Sequence, residues 1–170
     1  MSINFRKLEQ LLSDQGKTFY SLRKDKVVGT ETIKKLQQAE QQMGVELPDD
    51  YREFLLQTNG GSNEDYSMSF FVKELNDEMV VDVLYGIGLD NKNADVVFYT
   101  DMFASDMLPG SVLIGDSIQN GFIVMVCGRE NKGIYYWDHS YTYEASDDEN
   151  NMYRIADTFG DFLRMLDRAG

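Results

Sequence analysis

The 170 residues contain one cysteine (Cys127), one histidine (His139) and two prolines (Pro48 and Pro109). A lone cysteine excludes an internal disulfide and gives no sign of an oxidising compartment. One histidine with one cysteine is a poor start for a zinc centre, which takes three or four ligands. No apolar run reaches membrane-spanning length. The opening residues Met1 to Lys7 lack the apolar core of a signal peptide, so a cytoplasmic location is expected. Basic residues are scarce: 16 Lys and Arg stand against 29 Asp and Glu, a net charge of −13. Phosphate backbones and anionic bilayers repel such a chain, so neither nucleic acid nor membrane is expected as a partner. The same balance suits a basic protein partner.

Apolar residues make up 42% of the chain and aromatics 12%, enough for a sizeable core and against global disorder. The length suits one domain over 1–170. Charge is unevenly spread. Residues 1–44 carry 8 basic and 5 acidic side chains, while residues 45–170 carry 8 basic and 24 acidic, so the acid lies in the second part.

Helical spacing is strongest in the first third. Phe5, Leu8, Leu11 and Leu12 predict a helix over about 4–15. A short strand at Thr18 to Leu22 is an option in the basic stretch that follows. Ile33, Leu36 and Met43 predict a helix over 31–43. Gly44 stands where a helix stop needs a left-handed residue. Pro48 is suited to open the next helix, over about 48–58, with Asp49 and Asp50 in its first turn. Tyr51, Phe54 and Leu55 form its apolar stripe. Asn59-Gly60-Gly61 ends that helix and turns the chain.

After Gly61 the period changes from helix to strand. Met68–Val72, Met79–Tyr85, Val112–Ile114, Phe122–Cys127 and Ile134–Trp137 are strand candidates, with Asn120-Gly121 a hairpin turn signal. Residues 94–103 are ambiguous: Val96, Val97, Phe98 and Tyr99 favour strand by propensity, while the family resemblance set out below implies a helix or irregular segment there. Residues 140–151 predict an exposed polar excursion. Thr158 is a candidate cap for a last helix over about 158–168, with Phe159, Phe162, Leu163 and Leu166 on its buried face. The class expected is α+β: an antiparallel sheet formed mainly by residues 67–137, packed with N-terminal helices and a C-terminal helix.

Four pieces of the chain carry a family resemblance. The first is Glu40-x-x-Met43-Gly44-x-x-Leu47-Pro48-x-Asp50-Tyr51-x-x-Phe54-Leu55-x-x-x-Asn59-Gly60-Gly61. The second is Leu108-Pro109-Gly110-Ser111-Val112-Leu113-Ile114-Gly115-Asp116. The others are Ile134-Tyr135-Tyr136-Trp137-Asp138-His139 and the run from Ile155 to Leu163. In this order they resemble the SUKH superfamily, the Smi/Knr-like family of fungal cell-wall regulators and bacterial immunity proteins. The match spans roughly positions 30 to 166. The resemblance implies the SUKH fold and no catalysis or cofactor. It assigns motif positions to Glu40, Gly44, Leu47, Pro48, Tyr51, Phe54, Leu55, Asn59, Gly60, Gly61, Pro109, Gly115, Asp116, Trp137, Asp138, His139, Phe159 and Phe162. Glu40, one turn before the helix end, is expected to hydrogen-bond the corner around Leu47-Pro48.

Candidate chemistry is thin. Asp138 and His139 are read in two ways: an acid–base couple of an uncharacterised hydrolase, or a strand-end pair that orders the following loop. A triad needs a nucleophile and a positioned third group, and no sequence feature supplies them. Cys127, at the end of an apolar run, reads as a small core hydrophobe. Gly60-Gly61 and Gly86-x-Gly88 match no phosphate-loop pattern. Asp147-Asp148-Glu149 lacks EF-hand spacing.

The sharper candidate is a surface. No Lys or Arg falls between Gly133 and Tyr153, yet Asp138, Glu144, Asp147, Asp148 and Glu149 do, with Tyr141 and Tyr143 among them. Exposed tyrosine ringed by acid fits a binding hot spot with an electrostatic rim. Tyr141, Tyr143, Glu144, Asp147, Asp148 and Glu149 are therefore the expected partner-binding residues; a solvated loop without a partner is the plain alternative. With the resemblance, the expected partner is a cognate toxin with a basic active-site face, such as a nuclease. A regulatory scaffold that binds cellular proteins without a toxin is the second expectation.

Overall fold

A computed structural model describes residues 30–64 and 66–169. The helix expected over 4–15 and the strand considered at Thr18 to Leu22 lie outside them. The described residues form four α-helices: α1 (Thr30–Met43), α2 (Asp49–Gln57), α3 (Val96–Met102) and α4 (Phe159–Ala169). They also form seven strands: β1 (Gly61–Ser62), β2 (Ser69–Val72), β3 (Asp77–Leu84), β4 (Ser111–Ser117), β5 (Phe122–Val126), β6 (Gly133–Trp137) and β7 (Met152–Ala156). The sheet runs β1-β3-β4-β5-β6-β7, with β2 also on β3, and every strand pair is antiparallel. The class is α+β.

The α1–α2 corner closes as the glycine stop requires. Gly44 sits at φ 67, and the Val45 N–H donates to the Glu40 carbonyl at 3.2 Å, spanning the last turn. Pro48 stands one place earlier than expected, capping α2, with φ −59. Leu47, Tyr51, Phe54 and Leu55 are buried and join one apolar cluster with Phe159, Phe162 and the sheet. Tyr51 and Phe54 meet Phe159 at ring distances of 4.9 and 5.0 Å.

The two sheet faces are covered by different helices. Trp137 pairs with Phe122 and Tyr136 with Ile123 along β5 and β6, and neighbouring residues on a strand face opposite ways. On one face Phe70 of β2 touches both Tyr136 and Phe162 of α4, at 5.8 and 5.4 Å. On the other face Tyr99 of α3 and Phe103 just past it lie against Phe122, and Phe103 also meets Trp137.

The structure decides one open segment and extends the sheet at both ends. Residues 96–102, open between strand by propensity and helix or irregular structure by resemblance, form α3. Asp95 caps this helix, its carboxylate accepting the Phe98 N–H at 3.0 Å, and Val96 and Thr100 are buried against the sheet. Tertiary packing overrides the β-branched pair. The sheet also extends past Trp137: residues 152–156 form β7, paired with β6 from Trp137↔Met152 to Ile134↔Ala156. Its short length and polar flanks hid it. At the other end, β1 brings Gly61 and Ser62 into the sheet.

Candidate partner-binding loop

Residues 138–151 join β6 to β7, and one side chain organises their first half. Asp138 is fully buried. Its N–H donates to the Asn151 carbonyl at 2.9 Å, closing the neck of the loop. Its carboxylate accepts the N–H groups of Thr142 and Tyr143, both at 3.0 Å, and its carbonyl accepts that of Tyr141 at 3.2 Å. A carboxylate held by two amides is stable out of water because its charge is matched by fixed donors. The turn places Tyr141 at φ 52, a left-handed conformation that bulky residues disfavour by about 1–2 kcal/mol. Tyr141 is 47% exposed, and its hydroxyl donates to the Asp148 carboxylate, which raises the phenol's pKa.

The second half is tied by Asp147. Its carboxylate accepts the N–H groups of Glu149 at 2.9 Å and Asn150 at 2.8 Å, and these bonds hold its pKa below the usual carboxylate value. The Ser146 and Tyr153 hydroxyls pair at 2.8 Å, fastening the loop to β7. Glu144, Asp148 and Glu149 are exposed, and among the described residues none of them has an ion-pair partner. The loop is thus a firmly bonded acidic surface that presents one tyrosine.

Two of the expected loop residues are placed otherwise. Tyr143 is not an exposed anchor. It packs against the core, and its hydroxyl donates to Asp77 at the start of β3 at 2.9 Å. Burial comes first among the causes that raise its pKa. Asp138 adds no acid to the surface, because its charge faces the loop's own amides. Sequence polarity could not show either, since both depend on how the loop folds back.

His139 lies in an aromatic nest beside Phe122, Trp137 and Phe103, at ring distances of 4.4, 5.6 and 6.0 Å. Its Nδ1 is buried without a hydrogen-bond partner among the described residues. Burial lowers its pKa from 6.5, partly opposed by Asp138. Both carboxylate oxygens of Asp138 are engaged by the loop amides. Cys127 follows β5 at the opposite end of the ladder from His139, and burial pushes its thiol up to about 12. The lone cysteine therefore does not meet the Asp138–His139 pair. Among the described residues, no group of three or more His, Cys, Asp or Glu is placed to hold a metal ion, and no helix is long and apolar enough to cross a membrane.

The motif positions of the first half serve the frame. The Glu40 carboxylate accepts the Leu47 N–H at 3.0 Å and an Arg52 guanidinium N–H at 2.6 Å. The Asn59 side chain pairs with the Ile87 backbone twice, donating to its carbonyl at 3.0 Å and accepting its N–H at 2.8 Å. Gly86 leaves room for this: a Cβ there would stand 2.2 Å from the Asn59 carbonyl oxygen. A Cβ at Gly115 would stand 2.6 Å from the Val83 carbonyl. Asp116 accepts the Val83 N–H at 3.1 Å and the Tyr85 hydroxyl at 2.7 Å, while burial raises its pKa. Pro109 leads into β4 and is exposed. Pro48 sits near Gly133 at one end of β6, and the loop leaves Trp137 at the other. The structure therefore separates the corner motif from the acidic loop. One contact had no sequence signal: Asp50 of α2 caps α4, accepting the Gly160 N–H at 2.9 Å across 110 positions.

A seven-stranded antiparallel sheet with α2 and α4 on one face and α3 on the other, entered through the Glu40–Pro48 corner, defines a SUKH-type α+β protein. The sequence matches the SMI1 / KNR4 family (SUKH-1) over residues 31–165, and the chain belongs to that family. It is also similar to the SPbeta prophage-derived uncharacterized protein YokK of Bacillus subtilis (strain 168). The two are 23% identical over 181 residues, covering 96% of this chain and 86% of that protein.

Proposed function

We propose that this chain is a non-enzymatic, cytoplasmic protein-binding domain, an immunity protein that neutralises a cognate toxin by direct contact. The carrying observation is the 138–151 loop: Asp138 holds it from within, and its outer surface offers Tyr141 among Glu144, Asp148 and Glu149. A loop already bonded in one shape loses little entropy on binding, so its contacts go into affinity. Exposed acid draws a basic face and raises the association rate, while a large amphipathic ring supplies the desolvated contact. A nuclease toxin needs a basic face to bind phosphate, and an acidic cover competes for that same face. A similar protein from a prophage fits a gene that travels with its partner better than a fixed cellular scaffold. The hydrolase reading loses support because Asp138 is spent on backbone amides.

The test is co-expression with the protein encoded beside this gene. Growth inhibited by that protein and restored by the chain, with Tyr141→Ala weakening both rescue and purified-complex affinity, is the expected result. Failure of the two proteins to bind would remove the immunity role.

A further inference from the structure

Beside the loop lies an open groove of about 610 Å³, within the size range of ligand clefts. Residues 149–154 form one wall, so the groove runs along β7, the last strand in the sheet order. The opposite wall is the segment from Ser105 to Pro109 that leads into β4. The lining has two kinds of chemistry. Met107, Leu108 and Met152 give it apolar contact, and Leu108 is 49% exposed, although large apolar side chains are usually covered. Glu74, Asp106 and Glu149 give it acid. All three are exposed, and among the described residues none is ion-paired. Among the described residues, the one cation in the lining, Arg154, is already engaged: it donates to the Asp157 carboxylate at 2.9 Å, the Lys132 carbonyl at 2.7 Å and the Tyr135 hydroxyl at 3.0 Å.

We infer that this groove is a second contact surface, and that it receives an extended segment of the protein partner carrying alternating basic and apolar side chains. Charge complementarity selects the basic residues. The exposed leucine and the two methionines select the apolar ones, methionine being able to adapt to varied shapes. The strand alongside favours an extended backbone over a helix. Glu149 belongs to both the groove and the acidic loop, so the two surfaces are continuous and one partner can span both. This assignment rests on the partner-binding reading of the loop, and its test separates the two.

The probe is the capped peptide Arg-Val-Arg-Val-Arg, with Glu-Val-Glu-Val-Glu as control, titrated into protein carrying labelled Met and Leu methyl groups and followed by NMR. Saturable shifts at Met107, Leu108 and Met152 with the basic peptide alone are expected. The double variant Glu74→Gln, Asp106→Asn should weaken binding about fourfold, two exposed ion pairs each contributing about twofold. Shifts confined to other methyl groups, or equal affinity for the double variant, would overturn the groove. So would groove shifts that follow protein concentration without peptide, which would place a second copy of the chain there. A native complex weakened by Tyr141→Ala and indifferent to the double variant defeats the groove and keeps the loop; peptide docking with no protein partner for the loop does the reverse.

Discussion

Replacing Asp138 with alanine removes the one side chain that bonds the first half of the acidic loop from inside. Two N–H groups, those of Thr142 and Tyr143, lose an ionised acceptor, each bond being 3.0 Å long. A hydrogen bond to a charged group contributes about 1.5–3 kcal/mol. The two do not add fully, because once the loop opens both amides reach water and share one rearrangement. The expected cost is therefore about 2–4 kcal/mol. In a chain of this size that corresponds to a melting temperature lower by roughly 5–15 °C. Asp138→Asn retains one acceptor oxygen and turns an amide donor toward the other N–H, so it should fall between alanine and wild type. Urea unfolding gives the stability, and hydrogen exchange at Thr142 and Tyr143 gives the loop. An alanine variant within about 0.5 kcal/mol of wild type, the range of ordinary surface substitutions, with both amides still slow to exchange, would refute the account of how this loop is held.

Three further outcomes follow from the same bonding. Glu40→Ala should cost about 2–3 kcal/mol, because Leu47 N–H and Arg52 lose a partly buried carboxylate, and Glu40→Gln should recover part of it; equal urea midpoints for all three proteins would contradict this. Gly86→Ala should be far more destabilising than Gly44→Ala. The first puts a methyl group 2.2 Å from backbone, while the second meets nothing within 4 Å and bears only the left-handed strain of about 1 kcal/mol; melting curves in the reverse order would show the Asn59 contact is misplaced. His139→Phe should flatten the acid side of the stability profile. Because burial holds the folded imidazole below 6.5, the unfolded chain takes the proton first. Stability is then intact above 6.5 and lost as pH falls from there toward the folded value. Unfolding at about pH 7.5 and 5.5 checks this, and an unchanged difference between wild type and variant would count against the lowered pKa of this half-buried ring.

The frame was legible where a residue's local chemistry and its tertiary role coincide. Gly44 is a helix stop from sequence and sits at φ 67. Tyr51, Phe54 and Leu55 are a stripe from spacing and are buried together. Legibility failed where a distant partner decides. Val96 and Val97 favour strand by themselves, yet the Asp95 cap and the sheet beneath Tyr99 make them helical. Tyr143 reads as polar-loop tyrosine, yet Asp77, 66 positions away, draws it inward. The acid of the loop was visible as composition; that Asp138 points inward while Asp148 stays on the surface was not. Nor did the sequence show that Glu149 adjoins a groove whose other wall precedes β4, because nothing local links residue 149 to residue 106.

The most direct measurement is hydrogen exchange of the chain alone and in complex with the protein encoded beside its gene. Protection concentrated in residues 138–151, reduced in a Tyr141→Ala complex that dissociates faster, is the predicted result. Protection confined to the α1–α2 corner, with the 138–151 amides unchanged and the dissociation rate unaffected by Tyr141→Ala, would contradict it.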